Sequence, residues 1–184
     1  MRVLLSIICG GLIVTGGSAL AATPTEIAPV SIAASNNPLI DFPGFVEIAA
    51  NVQNLRAERL VDLAAFQAMG AEPGTLLLDA RSAAAFAQGH IEGAVNLPLP
   101  DFTAESLAET IGPDTDRRIL IYCNNNFVNN VAPVVTKMVT LALNIQTMIN
   151  LHGYGYPNVY ELGEAVDLNE PQVRWVASSQ ADGD

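Results

Sequence analysis

Cysteine is almost absent from this chain: Cys9 and Cys123 are the only two in 184 residues. Cys9 lies in MRVLLSIICGGLIVTGGSALA, which opens with Arg2 and closes on Ala19, Leu20 and Ala21, the small-x-small pattern of a cleaved secretory signal. Cleavage after Ala21 leaves Cys123 alone and excludes an intramolecular disulfide. Basic residues are scarce as well. Eight Lys and Arg stand against 19 acids, a net charge of −11 that becomes −12 once Arg2 is removed. That balance excludes nucleic acid as a partner and suits an exported protein, in the bacterial periplasm or secreted. Long apolar runs are missing too. Gly10, Gly11, Gly16 and Gly17 interrupt the first stretch, which falls short of the ~20 apolar residues of a membrane span. We expect no membrane span in the mature chain, no metal site and no cofactor.

The expected organisation is a signal peptide over 1–21, a flexible leader over 22–44, one domain over 45–177 and a disordered tail over 178–184. Residues Phe45 to Leu60 form a strand or a helix over a sheet edge. Asp62 caps a helix that carries Leu63, Phe66 and Met69 and stops at Gly70. TLLLDAR, 75–81, is a continuous apolar run ending in polar residues, as buried parallel strands do. Ser82 caps an alanine-rich helix through Gln88 that Gly89 ends, and AVNLP, 94–98, is a short strand. TAESLAETIG is an amphipathic helix, RILIYC is the second buried strand, and VAPVVTKMVTLAL has the character of a helix beginning near Asn130 or Val131. Two registers fit residues 144–165. In one, PNVYEL is the next strand; in the other, QTMINL, 146–151, is the strand and YPNVYELG a closing helix. The second keeps the preceding helix at an ordinary length and is the one we expect. Alternating strands and helices predict an α/β fold, with functional residues at the carboxyl ends of the strands, where Cys123 falls.

The string LLLDARSAAAFAQGHIEGAVNLP, followed about twenty residues later by ILIYC, resembles the rhodanese-like (sulfurtransferase) family. The likeness rests on Asp79 and Arg81 at a strand end, Phe86 in the helix, and the Gly89–Pro98 string, and extends over about 58–165. It implies a central parallel sheet of about five strands with helices on both faces. It also implies that Cys123 takes a sulfane sulfur as a persulfide and passes it to a thiophilic acceptor such as a thiol or cyanide. The residues give that cysteine a setting of their own. In a loop ahead of a helix, backbone N–H groups and the helix dipole stabilise an anion.

The loop departs from the family's pattern. Where relatives commonly carry Arg, Lys and Gly, this chain has Asn124, Asn125, Asn126, Phe127, Val128, Asn129 and Asn130. Asparagine tolerates left-handed backbone, so the loop can still curl. From Ile119 to Tyr160 the only formal charge is Lys137, which makes dianionic thiosulfate a less obvious donor than a neutral or polymeric sulfane species. A phosphatase CX5R loop needs arginine at position 129, and a thioredoxin-type pair needs cysteine at 126. Both positions are asparagine. Asp79 and Arg81 read as a structural pair, with Arg81 as a possible pocket residue. His90 reads as a turn-fixing residue, and His152 as a second possible pocket residue beside Gly153. Phe127 is expected to pack inward, and Trp175 to cover the core from the tail. Two alternatives to a sulfurtransferase stay open. One is an inactive rhodanese-like module that binds a protein partner or ligand; the other is a thiol redox or sulfide sensor.

Overall fold

The computed structural model describes residues 37–177. The expected signal peptide, most of the leader and the C-terminal tail lie outside them. The first element, α1 (Phe42–Arg59), begins inside the stretch assigned to the leader, with Asp41 Oδ1 accepting from Gly44 N at 2.9 Å. It leads into the short β1 (Leu60–Val61). The Asp62 side chain then accepts from Ala65 N at 2.7 Å and opens α2 (Leu63–Gly70). β2 (Leu76–Asp79) is followed by the Ser82-capped α3 (Ala83–Gln88), β3 (Gly89–Ile91) and β4 (Val95–Asn96). Thr103 and Ser106 form a reciprocal capping box at the start of α4 (Ala104–Ile111), and Gly112 ends it at φ +98°, where a side chain would be strained.

β5 (Ile119–Tyr122) is buried at all four positions, the mark of a central parallel strand. α5 (Leu143–Gly153), β6 (Val159–Leu162) and β7 (Trp175–Ala177) complete the described fold. The main sheet runs β1-β6-β5-β2-β4 with every pairing parallel, and β3 pairs with β7 in a separate antiparallel ribbon. One core gathers Val52, Leu107, Ile111 and Met148 from α1, α4 and α5 against one face of the sheet. The other packs Phe66 of α2 with Leu120, Tyr122, Phe127 and Val173 against the opposite face. The expected α/β architecture, a five-stranded parallel sheet with helices on both faces, is the one observed.

Two expected elements are different. Residues 146–151 belong to α5, and the strand is β6, so the register with PNVYEL as a strand is the correct one. The buried set on α5 is Asn144, Thr147, Met148, Ile149 and Leu151, and two of the five are polar, which blurs the hydrophobic period. The expected helix after the asparagines is absent. Residues 131–142 form an irregular strap with a cis peptide at Ala132–Pro133 and a short 3₁₀ turn at Val139–Leu141. Its apolar residues include exposed Val131, Val135, Met138, Val139 and Leu141. Instead of an intrahelical ladder, its backbone uses asparagine side chains: Lys137 N donates to Asn125 Oδ1 at 2.9 Å, and Thr136 N to Asn130 Oδ1 at 3.0 Å. Such side-chain partners compete with the helix, and β-branched Val134, Val135 and Thr136 weaken it further.

Candidate active site

Cys123 directly follows β5 and is 1% exposed. Asn124–Asn126 make one 3₁₀ turn directly after it, so no α-helix begins at the cysteine and the expected helix dipole does not act on the sulfur. The asparagines instead tie the loop into the fold. Asn126 is the most connected: its Oδ1 accepts from Cys123 N at 2.9 Å and from Asn144 Nδ2 at 2.7 Å. Its Nδ2 donates to Leu162 O at 2.6 Å and Glu164 O at 3.1 Å. Asn125 binds the strap in both directions, its Nδ2 donating to Lys137 O at 2.9 Å. Asn129 joins the loop to the 167–168 turn, donating to Asp167 Oδ1 at 2.7 Å and accepting from Leu168 N at 2.9 Å. Asn130 is the left-handed residue of the run, at φ +45°. Val128 is exposed, with its N–H donating to Val166 O at 3.0 Å.

Asn124 carries the contact that bears on chemistry. The Cys123 thiol donates to its Oδ1 at 3.4 Å, and its Nδ2 reaches Pro133 O of the strap at 3.4 Å. Burial pushes the thiol up to about 12, outweighing the Asn124 backbone N–H and the Arg81 and Lys137 charges, which favour the thiolate; the Asp79 carboxylate acts with burial. At neutral pH a group near 12 is ionised about once in 10⁵ molecules. In this closed geometry the sulfur is a protonated thiol.

Behind the cysteine lies a buried polar cluster. Asp79 and Arg81 are both at most 1% exposed. Arg81 Nη2 binds Asp79 Oδ2 at 2.5 Å and Gly89 O at 2.7 Å, and Nη1 reaches Pro133 O at 3.4 Å. The guanidinium also stacks over Trp175 at 5.3 Å and Tyr122 at 5.7 Å. Tyr122 OH donates to Asp79 Oδ2 at 2.6 Å and accepts from Ile91 N at 3.0 Å. Burial, together with the Asp79 charge, pushes this phenol far above its ordinary value. Asp79 and Arg81 are thus a structural pair, and Arg81 also faces a cleft. Phe127 packs inward, edge-on to Trp175 at 5.1 Å and Tyr122 at 6.0 Å. His90 stacks on Phe86 at 3.8 Å and its Nδ1 lies 2.9 Å from Phe86 O, fixing the α3–β3 turn.

His152 is a correction. It sits on α5 with Nδ1 3.0 Å from Met148 O. Eight residues separate it from Asn144, about 12 Å along the helix axis, because the segment expected as a strand is helical. The sequence reading missed Tyr122, Asn144 and Pro133. Tyr122 carried a signal, a phenol beside the cysteine at the end of an apolar strand. Asn144 carried none, since its role depends on the helix that replaced the expected strand.

A cleft of about 500 Å³ lies on the Asn124 side of the loop, lined by Arg81, Leu99, Asn124, Pro133, Lys137 and Leu143 among others. A second, of about 410 Å³, lies on the Asn125 and Asn126 side with Arg56, Asn144 and Glu161. The larger cleft at Asp62, Glu164 and Glu170, about 820 Å³, includes no residue of the 123–130 loop. Size alone does not make it the site.

A D-x-R strand end, a buried cysteine closing the central parallel strand and a loop cleft beside it are now joined by a sequence comparison. The family model of the Rhodanese-like domain matches residues 62–165, over half of the chain. The chain belongs to the rhodanese-like domain family. Similar solved structures include the Alr3790 protein from Anabaena sp., 20% identical, covering 55% of this chain and 68% of that one, at a TM-score of 0.40. The solution structure of the rhodanese-like domain of the same protein is 20% identical over 56% of this chain and 67% of that one, also at 0.40. BH2092 from Bacillus halodurans is 18% identical over 65% of this chain and 74% of that one, at 0.38. No curated protein matches the chain. Within this rhodanese-like domain the cysteine loop is uncharged, and the cations that act on the thiol, Arg81 and Lys137, come from outside it.

Proposed function

We propose that this exported rhodanese-like domain transfers sulfane sulfur through Cys123 from a resting state that is closed. The observation that carries the reading is the position of Asn124. It holds the thiol on one side and lines the 500 Å³ cleft on the other, so one side chain stands between the sulfur and the space a substrate would occupy. Swinging that amide aside admits water and donor and removes the burial that keeps the thiol protonated. The thiol proton passes to solvent and the thiolate attacks the outer, zero-valent sulfur of the donor. The bond between that sulfur and the rest of the donor breaks, and the remaining fragment leaves with the electron pair. Cys123 then carries a persulfide. A thiolate or cyanide acceptor attacks the terminal sulfur, and the Cys123 thiolate leaves with the pair. Both displacements are redox-neutral. Arg81, Lys137 and the Asn124 N–H are the groups available to stabilise the anion at each stage.

Mass spectrometry after exposure to polysulfide, and separately to thiosulfate, tests this. The expected result is one added sulfur atom on Cys123, released by cyanide or a small thiol and absent in Cys123→Ala. No adduct with either donor sinks the enzymatic reading. The second reading is a binding module in which Cys123 is a core thiol, favoured by its near-complete burial. A protein that gains no sulfur, and whose Cys123→Ala variant is less stable than the parent, fits that reading.

A further inference from the structure

The cleft beside Asn124 has a chemical character that its neighbour Cys123 does not specify. Nine of its fifteen lining residues are Ala, Val, Leu or Pro, with Leu99, Pro133 and Leu143 among them. None of the fifteen is Asp or Glu, in a chain with 19 acids and a net charge of −11. Of its two cations, Arg81 is neutralised by Asp79 behind it. Lys137 has no carboxylate within ion-pair distance among the described residues, so the lining offers one uncompensated positive charge. The volume, about 500 Å³, is within the roughly 300–1,000 Å³ of small-molecule sites. An inorganic oxyanion would leave most of that space and all of the apolar wall unused. A dianion would also carry one charge with no partner away from bulk water.

We propose that this cleft binds an organic monoanion with an apolar body, seated against Leu99, Pro133 and Leu143 with its charged end toward Lys137 and Asn124. This deepens the sulfur-transfer reading and rests on it for the identity of the charged end, which would carry the sulfur offered to Cys123. It sets an organic sulfane-sulfur donor ahead of thiosulfate.

The test titrates the full chain carrying Cys123→Ala with benzenesulfonate, an unreactive aromatic monoanion, and with inorganic sulfate, followed by calorimetry. The expected result is saturable binding of benzenesulfonate with sulfate at least tenfold weaker. Lys137→Gln, at an exposed position, is expected to weaken benzenesulfonate about two- to fivefold. Gln88→Glu, which adds a carboxylate to the lining, is expected to act in the same direction. Equal binding of the two anions, no binding of benzenesulfonate, or no change with Lys137→Gln overturns the assignment. In a parallel arm the unsubstituted chain is offered benzenethiosulfonate and thiosulfate. Benzenesulfonate binding without sulfur on Cys123 from either donor removes the transfer reading and leaves the cleft assignment standing. Persulfide from thiosulfate with no benzenesulfonate binding does the reverse.

Discussion

Asn126→Asp exchanges the NH2 of the side-chain amide for an oxygen and leaves the shape of the side chain unchanged. In the fold Asn126 is 6% exposed, and its two ends do opposite work: Oδ1 accepts from Cys123 N and Asn144 Nδ2, while Nδ2 donates to Leu162 O and Glu164 O at 2.6 and 3.1 Å. An aspartate keeps the first pair of bonds. To keep the second it must hold a proton, because an ionised oxygen would face two carbonyl oxygens with no donor between them. The folded state therefore raises the aspartate's pKa above the unfolded value of about 3.9. Above that pH the native variant binds a proton that the unfolded chain has released, so its stability falls as pH rises. The slope is about 1.4 kcal/mol per pH unit until the folded group ionises, and the loss by pH 7 approaches about 4 kcal/mol. Urea unfolding of variant and parent at pH 4.5, 6 and 7.5 measures it, taken as the difference between the two proteins. Asn126→Ala serves as the control, with a loss of about 2–5 kcal/mol from the stranded partners and no dependence on pH. An Asn126→Asp difference that stays flat across the range would refute the assigned direction of the bonds and the closed geometry they hold.

Five further outcomes rest on the same structure. Alkylation of Cys123 by iodoacetamide, read on its peptide by mass spectrometry, is expected to be very slow at pH 7 and to keep rising beyond pH 10, since the folded thiol sits at about 12; a plateau near pH 8 to 9 contradicts the buried thiol. The same raised value means the native state keeps a proton that the unfolded chain loses above about pH 8.5, so stability declines with rising pH and Cys123→Ala removes that decline. Asn124→Ala is expected to speed alkylation at pH 7 by tenfold or more; a slower reaction shows that Asn124 stabilises the thiolate and does not gate it. Arg81→Met strands the buried Asp79 carboxylate and is expected to cost about 3–5 kcal/mol in urea unfolding. Gly89→Ala drives a Cβ to 2.6 Å from the Trp175 ring and is expected to cost about 1–3 kcal/mol by the same measurement.

Those parts of the fold whose signals are local were readable in the sequence. Asp62 and Ser82 cap α2 and α3 because their side chains bond N–H groups three residues on, a pattern that needs no tertiary partner. β2 and β5 announced themselves as unbroken apolar runs because both faces of a central parallel strand are covered. Cys123, Asp79, Arg81 and Phe127 stand where their neighbours implied. The strap and α5 were misread for one shared reason. Apolar residues were taken as a guide to burial, yet Val131, Val135, Met138, Val139 and Leu141 face outward, while polar Asn124, Asn126, Asn144 and Thr147 are buried. Several of the bonds that reverse the usual order join residues far apart in sequence, such as Asn144 to Asn126 across 18 positions and Asn126 to Glu164 across 38. Helical and strand periods record nothing of that kind.

The ribbon of β3 with β7 bears on how this domain can be cut. The family match ends at 165, ten residues before Trp175, and begins at 62, six after Arg56. A fragment trimmed to the match would lose the indole that stacks on Arg81 and packs against Phe127. It would also lose the guanidinium that meets Glu161, 3% exposed, through bonds of 2.6 and 2.7 Å. One buried cation would be left with an open face just beyond β2, and one buried anion with no counter-ion on β6, the two strands that flank β5. The folded unit is therefore wider than its homologous segment, and grafting or expressing 62–165 alone would remove the contacts that cover Arg81 and neutralise Glu161.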